Sequence, residues 1–464
     1  MDIPPEQLEI CLKVLQQISD NPSLIEQHDR LKNLIAKIYQ KNRKISRKAK
    51  RAEDRKLKET TVMIQTQRQQ QSVTLSPDSG ENSKLLNQSI RCYICKRNYT
   101  QIHFFYHSLC PDCAEYNYQK RSQRTNLTGR VALVTGGRIK IGYQVVLRLL
   151  RDGARVIVTT RFPYDCAHRF SLEADFEQWR DRLQIHGLDL RNISAVEAFV
   201  NHLRQTEPAL DILINNAAQT IKRPLAFYQH LLDQEQTVLE RLSVEAQALL
   251  SSNYHPTPLL ETQTDYPKDL PARVNPYFPL HTFDADGQQL DLRPINSWLL
   301  KLDQVSPIEL VEVQLVNAIA PFILNSQLKP LLMRSRSVSE GHSPFERRFI
   351  INVSAMEGQF NRDSKTVYHP HTNMAKAALN MMTRTSASDY AQDNIFMNSV
   401  DTGWITDENP YPKKTSIQTK QGFYTPLDII DGMARIYDPI VQGIENPETP
   451  MFGYFLKDYL PYPW

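Results

Sequence analysis

The stretch Val131-Ala132-Leu133-Val134-Thr135-Gly136-Gly137-Arg138-Ile139-Lys140-Ile141-Gly142 decides the fold. Its four apolar residues predict a short buried strand and its glycines a tight turn. Behind the turn, Val145, Val146, Leu149 and Leu150 recur at helical spacing. Strand, turn and helix in that order present a helix N-terminus at the end of a sheet, a geometry suited to a phosphate group. Glycine permits both the sharp turn and a close approach of the backbone. Alone, such a stretch fits an ordinary strand-turn-helix equally well.

The chain on either side narrows the choice. Arg155 to Thr159 reads as a second strand after the turn at Asp152-Gly153, and Ile185 to Leu188 as a third, ending at Asp189. Asp211 to Ile214 is a fourth, running into Asn215-Asn216-Ala217-Ala218. Phe349 to Val353, Ile395 to Val400 and Gly453 to Leu456 complete seven. Strands alternating with helical stretches predict an α/β fold with a doubly wound, parallel seven-stranded sheet.

These residues, with Asn317, Asn352-Val353-Ser354 and Lys376-Ala377-Ala378, resemble the short-chain dehydrogenase/reductase family over about 127–464. Two positions depart from it: Lys140 replaces the middle glycine, and Ala218 the glycine ending the Asn-Asn-Ala-Gly motif. The resemblance implies a Rossmann-type oxidoreductase using a nicotinamide dinucleotide. Thr135, Gly136, Gly137, Arg138, Lys140, Ile141 and Gly142 would then surround its diphosphate, Lys140 either adding a cation or crowding the site. Asp189 would touch the adenine and Asn215 line the groove, while Ile405 and Thr406 would meet the carboxamide. The second strand runs Val158-Thr159-Thr160-Arg161 without a carboxylate. An acid there favours a ribose 2′-hydroxyl and a base a 2′-phosphate. Arg161 and Arg138 together favour NADP, with NAD as the alternative.

At the reaction centre the resemblance frays. Asn317 matches the catalytic asparagine and Lys376 the catalytic lysine, which would hold the nicotinamide ribose. The serine position, three residues after Asn352, is Ala355, and the tyrosine position, four before Lys376, is Thr372. A threonine hydroxyl is far too weak an acid to replace a phenol. Tyr368 and His371 are the candidate proton donors, His369 and Ser354 lesser ones, and a centre without a donor is a further alternative. Pro370 predicts that Tyr368 arrives on a loop.

Before residue 127 the chain changes character. Leu8, Cys11, Leu12, Leu15 and Ile18 share a helical face, as do Leu31, Leu34, Ile35 and Ile38 after Asn21-Pro22-Ser23. They predict a helical hairpin short of core, to be covered by another surface such as a second copy. Lys41 to Lys58 adds ten Lys or Arg against Glu53 and Asp54, within a basic arm spanning 1–64. A solvated face is the plain reading, with nucleic acid, an anionic membrane or a nuclear-import receptor as alternatives. Residues 65–90 read as a polar linker.

In the module at 91–118, Cys92-x-x-Cys95 and Cys110-x-x-Cys113 are two knuckles separated by fourteen residues. Four thiolates so spaced predict a closed structural zinc site, with buried thiols as the alternative and no coordination position for water.

The insertion at 222–308 is expected to be either a substrate lid or a plain structural or oligomeric insertion, with Gln236 to Leu250 helical. The 464 residues carry 23% charged and 41% hydrophobic side chains and a net charge of +4, which suits a globular chain and does not by itself imply nucleic acid. No membrane span and no signal peptide are read, so a cytoplasmic location is expected, with the nucleus as alternative. The first functional expectation is an NADP-dependent oxidoreductase for a small carbonyl or alcohol, as a homo-oligomer. The second is a cofactor-binding regulator without turnover that contacts protein or nucleic acid through its zinc module.

Overall fold

The computed structural model describes residues 3–69, 84–237, 242–251, 276–284, 286–334, 347–362, 365–446 and 448–464. Part of the predicted linker (70–83), part of the predicted helix at 236–250, and most of the loop around His255 to Pro279 lie outside them.

The helix Pro5–Asp20 begins with proline at its first turn and buries none of its residues. A short turn, Pro22–Gln27, leads into one helix, Asp29–Glu59, so the apolar stretch at 31–38 and the basic stretch share a single rod of about 46 Å. Among the described residues, only its C-terminal end is docked. Asp54 accepts the backbone amides of Asn87 and Gln88, and Arg55 donates to the Thr419 carbonyl (3.1 Å). The helix Val62–Gln69 and strand β1 (Lys84–Arg91) occupy the two ends of the predicted linker. β1 pairs antiparallel with β2 (Asn98–Ile102), and the helix Pro111–Ser122 completes the cysteine module.

The main sheet contains β3 (Val131–Thr135), β4 (Arg155–Thr160), β5 (Leu183–Gly187), β6 (Ile212–Asn215), β7 (Arg348–Ser354), β8 (Ile395–Asp401) and β9 (Phe455–Lys457). All seven are parallel. The tail adds an eighth, β10 (Leu460–Tyr462), antiparallel to β9, giving the order β10-β9-β8-β7-β6-β3-β4-β5. The C-terminal tail therefore extends its own sheet. At the other edge Leu249 and Ser251 hydrogen-bond to Ile185 of β5.

Side chains alternate across each strand, so Ala132 and Val134 enter one apolar layer and Leu133 the other. The first layer packs the helices Lys140–Arg151 and Ile429–Glu445. The second packs Ile193–Thr206 and parts of Pro307–Gln327 and Pro370–Gln392. By length and composition Pro307–Gln327 could cross a membrane, against the expectation of no such stretch. It is partly buried on the sheet, as a core helix is, and is weak support for a membrane role. Strand order reverses between β3 and β6, where a doubly wound sheet opens a crevice at its strand ends.

Candidate active site

That crevice is a cleft of about 380 Å³. Gly136 turns the chain out of β3 at φ +70°, and a Cβ on Gly142 would stand 2.3 Å from the Gly136 carbonyl oxygen. Lys140 adopts φ +55°, so it keeps the left-handed backbone a glycine would supply, at a cost of about 1 kcal/mol. The helix that follows has no side-chain cap and no acid in its first turn, so its leading amides are available to an anion. Gly136, Arg138, Lys140, Ile141 and Gly142 all line the cleft. Thr135 and Gly137 do not: the Thr135 hydroxyl accepts the Asn216 and Ala217 amides, and Gly137 packs against Val158 and Val146. These two brace the loop from behind.

At the end of β4, Arg161 lines the cleft, donates to the Tyr228 hydroxyl (3.0 Å) and lies over that ring. Among the described residues it forms no ion pair. Arg138, its expected partner, is buried and engaged by Asp165 (2.5 Å), which Arg169 also holds. Burial would raise the Asp165 carboxyl, but the two guanidiniums outweigh it and keep it below its usual range. Asp189 lines the cleft locked to Arg191 (2.6 Å). Asn215, expected in the groove, faces the sheet interior and donates to Asn325 and Asn352. Asn216 lines the cleft in its place, tying down the Thr135 and Gly136 carbonyls.

The opposite wall is the segment after β8. Gly403 (φ +81°) turns it, and Ile405, Thr406 and Glu408 face the cleft. The Thr406 hydroxyl donates to Glu408 (2.6 Å). Burial would raise the Glu408 carboxyl, but the Lys140 charge and this hydrogen bond hold it low. The insertion forms the roof: Arg223, Tyr228 and Gln288 line the cleft, and Asp286 stands 3.7 Å from the Lys140 ammonium.

The four expected catalytic residues are arranged differently. Asn317 sits in a π-helical turn, Leu315–Ile319, where its amide exchanges hydrogen bonds with the Gln219 backbone (2.7 and 3.0 Å). Lys376 is buried and donates to the Val353 carbonyl (2.7 Å). Burial lowers its pKa to about 8 against the opposing charge of Glu357. Thr372, one turn earlier, is buried with a hydroxyl that makes no hydrogen bond among the described residues. Ser354 is occupied by Asn380 (2.6 Å).

The helix starts at Pro370, so Tyr368 does arrive on a loop, over a third exposed. His371 is sealed against Glu309 (3.4 Å). Five residues on an α-helix turn about 500°, which points His371 some 140° away from Lys376. His369 stacks on Trp298 with centroids 3.8 Å apart. None of Asn317, Tyr368, His371 and Lys376 lines the cleft.

Beside the cleft, the sulfurs of Cys92, Cys95, Cys110 and Cys113 all lie within 4.8 Å of one another. A tetrahedral Zn²⁺ at about 2.3 Å from each thiolate separates them by about 3.8 Å, so the four could bind one metal ion. With four protein ligands, such an ion would be structural. Sequence reasoning missed Asn216, Tyr228, Arg223, Gln288 and Glu408 as cleft residues. All but Asn216 come from segments whose position depends on long-range packing.

The short chain dehydrogenase profile matches residues 130–247. An uncharacterized protein of Acanthamoeba polyphaga mimivirus is 34% identical over 366 residues, 76% of this chain and 72% of that protein. Human dehydrogenase/reductase SDR family member 13 is 37% identical over 92 residues, 20% of this chain and 24% of that protein. Among solved structures, NADPH-bound carbonyl reductase from chicken fatty liver is 18% identical with a TM-score of 0.45, covering 73% of this chain and all of that one. The chain belongs to the short-chain dehydrogenase/reductase family, whose members are typically NAD(P)-dependent oxidoreductases, and it carries a four-cysteine cluster N-terminal to that domain.

Proposed function

We propose that the cleft holds NADP(H) and that the protein is an oxidoreductase for a small carbonyl or alcohol. One observation carries this reading: a single cleft joins the uncapped helix end at Lys140–Gly142 to a cation, Arg161, that forms no ion pair among the described residues. When bound, the nicotinamide supplies or accepts the hydride. The helix amides and Lys140 would hold the diphosphate, and Arg161 with Tyr228 the 2′-phosphate. Ile405 and Thr406 would meet the carboxamide. Asn317 positions the Gln219 backbone at the cleft floor. Lys376 spends one donor on Val353, so two remain for the ribose hydroxyls. Tyr368, on its loop, is the proton donor we favour, because His371 points away. The four cysteines hold structural Zn²⁺, and the insertion acts as a lid. The exposed apolar face of Pro5–Asp20 supports self-association. We place the protein in the cytoplasm.

A second reading, a cofactor-binding regulator without turnover, is favoured by the absence of all four catalytic candidates from the cleft lining. Titration with NADPH and NADH tests the shared part. Arg161→Ala is expected to weaken NADPH about ten- to hundredfold, the worth of one charge-assisted contact, and to leave NADH unchanged. Turnover on a carbonyl panel, lost in Lys376→Ala and reduced in Tyr368→Phe, supports the enzyme. Tight NADPH binding with no turnover on any compound supports the regulator. No binding of either nucleotide would sink both.

A further inference from the structure

The cysteine unit does not stand apart from the cleft. Its core, with Cys92, Tyr106, Leu109 and Cys110, is continuous with Ile405 and Leu427, and Ile141 packs against the same cluster. Ile405 and Ile141 both line the cleft. Tyr93 lies between the two cysteines of the first knuckle. Its hydroxyl accepts the Trp404 amide at 2.9 Å, and a Cβ on Gly403 would come within 3.7 Å of that same oxygen. The rest of the unit is fastened beneath: Tyr106 donates to Asp431 (2.5 Å), and Arg121 pairs with Asp428 (2.7 Å) and Asp431 (3.0 Å) at the start of the helix Ile429–Glu445. Metal-ligating knuckles fix their intervening residues tightly, because both ends of the turn are tied to one ion. The side chain so fixed here reaches the loop that walls the nicotinamide end of the cleft.

We infer that Tyr93 is a positioning residue: the metal-bound knuckle sets the cofactor-facing loop Gly403–Thr406 through the Tyr93–Trp404 hydrogen bond. The unit is thereby part of the coenzyme site's supporting wall. This rests on the reading of the cleft as the NADP(H) site.

The test uses the full-length, zinc-loaded protein. Tyr93→Phe removes one oxygen and no cysteine. Expected are one zinc per chain by native mass spectrometry, faster hydrogen exchange at the Trp404 amide, and NADPH binding weakened about three- to tenfold, the worth of a single hydrogen bond. Tyr99→Phe is the comparison, because among the described residues the Tyr99 hydroxyl bonds inward, to the His107 carbonyl. It should leave Trp404 exchange and NADPH affinity unchanged. Unaltered affinity in Tyr93→Phe, or equal weakening in both variants, overturns the inference. If the unsubstituted protein itself fails to bind NADPH, the reading of the cleft fails first and separately.

Discussion

The glycine turn and the expected reaction centre depart from the family pattern in different ways. At the glycine turn the residue type departs from that pattern while a glycine-like backbone is present. Lys140 holds a glycine's left-handed conformation, and Ala217 still packs under Gly136. At the expected reaction centre Asn317 sits in a π-turn and Lys376 on its helix, but Thr372 stands where the family pattern has its tyrosine. Among the described residues the buried Thr372 hydroxyl has no hydrogen-bond partner, and Lys376 donates to a carbonyl. A phosphate grip is made mostly of main-chain amides and tolerates side-chain replacement. A proton-transfer centre is made of side chains and does not.

The largest expected effect lies at the grip. Gly142→Ala places a Cβ against the Gly136 carbonyl and the Asn216 amide, groups that cannot withdraw without opening the loop. A loss of about 2–4 kcal/mol in stability and of measurable NADPH binding is expected, read by denaturant melts and titration. A variant that binds normally would show that the grip is not where the contrast puts it.

Next in size is Lys376. Its pKa falls from an ordinary 10.5 to about 8 on burial. Below pH 8 it is charged in both states, and the folded state bears the desolvation cost. Between pH 8 and 10.5 the unfolded chain keeps the proton that the folded chain loses, so stability rises with pH through that window. Lys376→Met is therefore expected to be more stable at pH 7, by about 1–3 kcal/mol, with the gain shrinking toward pH 10.5. Such a gain would mark the lysine as retained for function at a structural cost. A less stable variant at pH 7 would make it a structural residue.

The smallest effect sharpens the comparison most. Lys140→Gly relieves the left-handed strain and should stabilise the fold by about 1 kcal/mol. If Lys140 serves the diphosphate, the same change weakens NADPH about threefold, a modest surface-charge effect. Stabilisation with unchanged affinity would leave only its approach to Asp286.

The strands, the glycine turn and the two cysteine knuckles were legible because each is written in contiguous residues with a fixed period or spacing. The eighth strand was not, because Leu460-Pro461-Tyr462 is too short and proline-bearing to show a period. Asn215 and Asn216 are adjacent on a strand end, and motif order alone does not say which faces the ligand. His371 looked close to Lys376 by count and lies on another helical face. Tyr228, Gln288 and Glu408 reach the cleft from the insertion and from beyond β8, through contacts that no local pattern encodes. The docking of the cysteine unit under Ile405 belongs to the same class.

The two borders of the sheet carry one more consequence. β10 shows its outer rim with Pro461, which lacks an amide hydrogen, while the backbone at Leu249–Ser251 occupies the rim of β5. Among the described residues, each margin is thus partly blunted against a passing strand. Trimming the last five residues would uncover β9 and leave a protein prone to stick edge to edge.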